Sequence, residues 1–125
     1  MAENYAIAAV RHYCDAEILA ASESYDGAGH LVGFAAECAL KHGILSLRTE
    51  LDSLRGHFPE LIDIAKRHLS QRRHLGLYSI IKGANFMKDW SVDLRYFETG
   101  TINQEQFNLW RTQACSLLHA ARLRK

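Results

Sequence analysis

The sequence predicts an all-α fold, an antiparallel up-and-down bundle of four to five helices. Apolar residues recur at steps of three and four along most of the chain, which is the helical period. The breaks between these segments are short, which favours antiparallel neighbours. One short apolar run, Leu75–Ile81, reads equally as strand or helix. It has no second strand to pair with, and an isolated strand leaves its backbone groups unsatisfied. At 125 residues, with 48% hydrophobic residues and one proline, the chain is expected to form a single domain over residues 1–125.

The first helix is expected from about Asn4 to Ser24. Ile7, Val10, Cys14, Ile18, Ala21 and Tyr25 share one face, read as the buried one, with Arg11, Asp15 and Glu23 elsewhere on the wheel. Tyr25-Asp26-Gly27-Ala28-Gly29 reads as the turn that follows. A second helix runs from about Ala28 to Thr49. Leu31, Phe34, Ala35, Cys38 and Leu45 form one stripe. Val32, Ala36, Ala39 and Gly43 form a second stripe of small residues that lets another backbone approach. Apolar residues on more than one face place this helix at the centre of the domain.

Pro59, in Gly56-His57-Phe58-Pro59-Glu60, suits the first position of a third helix, which ends near Leu69. Leu61, Ile64, Ala65 and Leu69 are its apolar face. Leu75–Ile81 is the fourth helix, and Asp89–Gly100 is loop with a helical turn. The last helix runs from about Asn103 to Leu123 with Phe107, Trp110, Ala114, Leu117, Leu118 and Ala121 inward. Thr101 with Gln104, or Asn103 with Gln106, supplies a capping box.

Composition excludes several classes. The longest uncharged apolar stretch, Leu31–Ala36, is far short of the about 20 residues that cross a bilayer, so no membrane association is expected. Cys14, Cys38 and Cys115 are odd in number and far apart. Each falls within an apolar pattern and reads as a small hydrophobe in a reducing, cytoplasmic setting. Residues 1–62 carry nine acids against four Lys/Arg, and residues 63–125 carry five against eleven. The net +1 is therefore divided into an acidic and a basic half. Such asymmetry suits an anionic partner or two halves that dock on each other.

Few motifs carry chemistry. Gly27-Ala28-Gly29-His30-Leu31-Val32-Gly33 has one residue too many for a dinucleotide fingerprint and follows no strand. Among the seven histidines there is no HExxH pair and no i, i+4 pair, so no metal or other cofactor is implied. Lys66-Arg67-His68 and Arg72-Arg73-His74 form the densest basic cluster. They read as a phosphate-contacting patch or as a helix end with favourable cations. Glu37 sits among Phe34, Leu40 and Ile44, and a carboxylate there needs a cation. Lys41 at i+4 and the distant Arg95 are the two candidates.

The stretch Tyr25 to Lys41, with its small residues leading into Glu37-Cys38-Ala39-Leu40-Lys41, resembles the helical hairpin of the HEPN family (higher eukaryotes and prokaryotes nucleotide-binding domains). His57-Phe58-Pro59-Glu60-Leu61 and Trp90-Ser91-Val92-Asp93-Leu94-Arg95-Tyr96 resemble that family's later signatures. The resemblance spans roughly residues 10–100. It implies an up-and-down bundle, often a homodimer, that works beside RNA or nucleotides. Some members partner a nucleotidyltransferase in toxin–antitoxin or defence systems. Glu37, Trp90, Arg95 and Tyr96 are the ligand-binding or signature residues it selects here. Other members are metal-independent ribonucleases with an arginine followed, after four to six residues, by a histidine. Arg67 and His74 are the one match to that spacing. Nucleotide or RNA binding is thus the leading expectation. Endoribonuclease activity through Arg67 and His74, or a purely structural dimerisation module, are the alternatives.

Overall fold

The computed structural model describes residues 4–51, 53–69 and 75–125. Among them are five α-helices and a 3₁₀ turn, with no strand: α1 (Tyr5–Ala21), α2 (Tyr25–Leu47), α3 (Glu60–His68), α4 (Leu75–Ile81), the 3₁₀ turn Val92–Tyr96, and α5 (Gln104–Ala120). The all-α class and the helix at Leu75–Ile81 agree with the sequence pattern.

Side-chain caps start two of the helices. Asn4 accepts from the Ile7 amide (3.1 Å) at the head of α1, and Asn103 accepts from the Gln106 amide (2.8 Å) at the head of α5. Each satisfies an amide that the helix itself leaves orphaned. Of the two capping boxes offered by the sequence, Asn103 with Gln106 is therefore the one used. Asp26, in the first turn of α2, accepts from the amides of Gly100 (2.8 Å) and Ile102 (3.0 Å), which ties the approach to α5 onto the start of α2.

α2 is the central helix. It packs along α1 as a hairpin and along α5 on another side. Val32, Ala36, Ala39 and Gly43, the stripe of small residues, are all buried, together with Ala28, Ala35, Leu40 and Ile44. The expected turn at Tyr25–Gly29 is not where the chain reverses. It turns at Ser22–Ser24, where Glu23 has a φ of 61°, and Gly27 and Gly29 lie inside α2. These glycines resemble turn residues in sequence, but packing is what uses Gly29. A Cβ there would sit 3.0 Å from Ile102 and 3.2 Å from Trp110.

A second correction concerns α1. Its buried residues are Ala9, Tyr13 and Ala16, whereas Ile7, Cys14, Ile18 and Ala21 of the expected core face are exposed. The core takes the face on which the two alanines let α2 lie close, with Tyr13 buried beside them.

The connection from α4 to the 3₁₀ turn is held by two indoles and an amide. Trp90 Nε1–H donates to the Gly29 carbonyl (2.9 Å), and Trp110 Nε1–H donates to the Lys88 carbonyl (3.0 Å). Gln113 accepts from the Met87 amide (2.9 Å) and donates to the Asn85 carbonyl (2.9 Å). Phe58, Phe86 and Trp90 meet edge to face below this loop, with centroids 5.5 and 6.1 Å apart.

Gly33 is where Trp90 lies closest to α2. A Cβ at Gly33 would fall 1.8 Å from the indole Cε2. Gly33→Ala is expected to cost about 3 kcal/mol, the upper end for an overpacked core, because the indole is pinned and cannot retreat. Gly43→Ala meets only the tip of Leu77, at 2.7 Å, and gains helix propensity of about 1 kcal/mol. It should stay within about 1 kcal/mol of the parent. Urea denaturation followed by circular dichroism compares the two. Equal midpoints would contradict the packing account.

Candidate functional site

His30, Phe34, Glu37 and Lys41 follow one another on α2 at steps of four, three and four, so they line one stripe of the helix. Glu37 is 2% exposed. One carboxylate oxygen accepts from the Phe58 amide (2.7 Å), and the other pairs with His57 Nδ1 (3.0 Å). An ionised carboxylate has no proton to give, so Nδ1 carries the hydrogen of this bond. The His57 side chain is 50% exposed, and its Nδ1 is the atom engaged. Burial raises the Glu37 carboxyl above its ordinary value. The bonds from His57 and Phe58 and the charges of His57 and Lys41 oppose that rise without cancelling it.

Neither cation proposed for Glu37 is its hydrogen-bonding partner. Lys41 is buried, acts on Glu37 through charge, and holds its ammonium 5.4 Å from the Tyr5 ring centre. The Tyr5 hydroxyl in turn donates to the Leu54 carbonyl (2.9 Å). Arg95 lies over Tyr96 instead, 4.8 Å from that ring centre. The loop before α3 satisfies Glu37 because its backbone amide and imidazole arrive already directed at the carboxylate.

Phe34 is the hub of an aromatic face. Three imidazoles surround its ring, His30 at 4.8 Å, His12 at 5.9 Å and His57 at 6.1 Å between centres, with Trp90 edge-on at 5.4 Å. His30 also stacks on Trp90 at 6.1 Å. Its pKa is lowered, first by burial and then by the charge of Arg95, against a hydrogen bond to the Val92 backbone. His30 Nε2 is buried and has no hydrogen-bonding partner among the described residues. His12 is lowered by burial and by Arg11, with Asp15 opposing. Both rings are therefore neutral at pH 7.

The 3₁₀ turn adds the cationic and exposed end of this face. Ser91 caps it by accepting from the Asp93 amide (3.0 Å), and Trp90 just before it is anchored on α2. Tyr96 is 74% exposed, under the Arg95 guanidinium, and Phe97 beside it is exposed too.

The expected site residues thus divide. Glu37 and Trp90 are buried and positional, and Trp90 uses its only polar atom on Gly29. Arg95 and Tyr96 are presented outward. Arg67 is exposed on the last turn of α3, while His74, with Arg72 and Arg73, lies outside the described residues. No three His, Cys, Asp or Glu side chains among the described residues are placed to hold one metal ion, and no described helix is long and apolar enough to cross a membrane. The sequence reading missed the convergence of His12, His30 and His57. A visible signal for part of it was the four-residue step from His30 to Phe34 on the stripe that ends at Lys41. Comparison with family models, curated proteins and solved structures found no match.

Glu37 binds protons more tightly in the folded chain than in the unfolded one. Its ionised form therefore opposes folding at neutral pH, and this opposition is relieved as pH falls through the raised value. The parent should gain stability relative to Glu37→Gln between neutral pH and the upper carboxylate range. His12 and His30, lowered by burial, act with the opposite sign but in both proteins, so they cancel in the comparison. Thermal melts across that range test this, and a pH-independent difference would contradict it.

Proposed function

We propose that the face running from His57 past Phe34 to Tyr96 binds nucleotides or single-stranded RNA. The observation that carries this reading is Tyr96, an aromatic ring 74% exposed, with the Arg95 guanidinium 4.8 Å from its centre on a turn anchored to the core. An exposed ring offers a stacking surface for a base, and stacking of this kind contributes about 1–3 kcal/mol per base. The guanidinium beside it matches a phosphate in planar, bidentate geometry. His30 and Phe34 continue the aromatic lining inward. The excess of Lys/Arg in the second half of the chain adds attraction for a polyanion.

A second reading, metal-independent endoribonuclease, is favoured by one specific arrangement, the half-exposed His57 held through Nδ1 by the buried Glu37. In that chemistry Nε2 of His57 accepts the proton of an RNA 2′-hydroxyl. The 2′-oxygen attacks the adjacent phosphorus, the P–O5′ bond breaks, and the departing 5′-oxygen is protonated by solvent. A 2′,3′-cyclic phosphate is left. Arg95 would face the phosphate charge. His57 replaces His74 as the base in this version, with Glu37 as its positioning residue.

Fluorescence anisotropy with a short uridine-rich RNA tests the binding. Tyr96→Ala should weaken it about 5- to 150-fold at unchanged thermal stability, since the ring is exposed. Arg95→Ala should also flatten the salt dependence. Equal affinity of parent and Tyr96→Ala would overturn the reading. Incubation with RNA in chelator separates the two activities. Cleavage that is lost in His57→Ala selects the enzyme, and binding without cleavage selects the module.

A further inference from the structure

The chain turns back onto α5 as soon as that helix ends. Arg122 has a φ of 63°, its amide donates to the His119 carbonyl (3.0 Å), and the Leu123 amide donates to the Leu118 carbonyl (2.8 Å). A left-handed residue inside these two bonds is the Schellman closure of a helix. Leu123 packs against the core, so burial holds the reversal as well. Lys125 is thereby carried back beside Cys115, ten residues earlier on α5. Its ammonium donates to Cys115 Sγ (3.1 Å) and to the Tyr13 hydroxyl of α1 (3.5 Å), and stands 4.8 Å from the Tyr13 ring centre. Cys115 is partly exposed, whereas Tyr13 is buried. The bond to Cys115 is the first cause that holds the Lys125 ammonium above its ordinary value. Burial, then the charge of Cys115, pushes the Tyr13 phenol up to about 12, so Tyr13 stays a neutral hydroxyl.

We propose that Cys115 and Lys125 form a peroxide-reactive modification site, at which the thiol is oxidised and then closed onto the lysine as a covalent S–N link. The thiolate is the form of cysteine that attacks a peroxide. With hydrogen peroxide, its sulfur bonds to one oxygen, the O–O bond breaks, and the electron pair leaves on the other oxygen. The Lys125 ammonium gives that oxygen a proton, and water departs. Cys115 is left as a sulfenic acid and Lys125 as a free amine. The amine already lies 3.1 Å from the sulfur, which is now electrophilic. Nζ attacks it, the S–N bond forms, and the S–O bond breaks. The departing hydroxide takes the proton that the nitrogen releases. One thiolate, one ammonium and one hydrogen peroxide thus give one sulfenamide and two waters. Lys125 serves twice, because giving up its proton in the first step frees the lone pair used in the second. Cys14 is more exposed than Cys115, so exposure alone would make Cys14 the faster to react. The ammonium against Cys115 reverses that order. Neither Cys115 nor Lys125 belongs to the face from His57 to Tyr96, so this inference stands apart from nucleotide or RNA binding.

The test treats the full chain with hydrogen peroxide and follows each cysteine by peptide mass spectrometry, with a 1,3-diketone added to trap sulfenic acid. In the parent, Cys115 should be consumed faster than Cys14. It should appear chiefly as a link to Lys125, two hydrogens lighter than the reduced chain and reopened by dithiothreitol. Lys125→Met should slow the consumption of Cys115 at least about tenfold, the loss expected when a positioned acid is removed. It should also abolish the link, with an unchanged melting curve because the side chain is exposed. Lys125→Arg keeps the charge but offers no free amine. Cys115 should then accumulate as trapped sulfenic acid without the link. Cys14 should react alike in all three proteins. Oxidation of Cys14 ahead of Cys115 in the parent overturns the proposal, and so does a Cys115 rate that Lys125→Met leaves unchanged. Sulfenic acid at Cys115 of the parent with no link to Lys125 overturns the closure onto the lysine.

Discussion

The insertion of Trp90 against α2 governs how the loop from α4, the 3₁₀ turn and the aromatic face are arranged. Its indole fills the space that Gly33 leaves open, and its N–H is satisfied by the carbonyl of Gly29 one turn earlier. A buried indole N–H without a partner would be costly, so the hydrogen bond fixes both depth and orientation. From that anchor follow the place of the 3₁₀ turn, the charge of Arg95 beside His30, and the outward position of Tyr96. The same ring forms one wall around Phe34 and meets Phe58 below. One glycine on α2 thus determines where the cationic end of the aromatic face can be.

At the other end of that face the governing quantity is the desolvation of Glu37. A carboxylate this deep is tolerated because two donors reach it from a neighbouring loop and a buried ammonium adds its charge. The arrangement orders three things at once. It fixes the loop before α3, gives His57 a defined tautomer and direction, and keeps that imidazole half in solvent. His12 and His30 nearby, both shifted toward the neutral form, add no cation that would compete with His57 for Glu37. A structural cross-link and a directed acid–base group are here the same contact.

α1 shows a different balance. Ala9 and Ala16 are buried together with Tyr13, and the bulky aliphatic Ile7 and Ile18 are left exposed on another side. The hydrophobic effect is non-directional and sets no preference between a core and a partner surface. Periodicity along α1 therefore marks two apolar faces with equal clarity, and only the close approach of α2 decides which of them the chain buries itself.

The helical class, the place of most helices, the central role of α2 with its small-residue stripe, and the need of Glu37 for a partner are all legible along the chain. These are local or compositional properties: a period of 3.6, a cap, a charge among apolar neighbours. Tertiary structure decided what is long-range. It chose the face of α1 that is buried, used Gly29 for packing where the sequence suggested a turn, filled the space at Gly33 with Trp90, and gave Glu37 to His57 and Phe58 rather than to Lys41 or Arg95. It also gathered His12, His30 and His57, far apart in the chain, around one phenylalanine. The physical reason is that spacing along a chain specifies which residues share a helix face, while distances between faces arise only when the helices have packed.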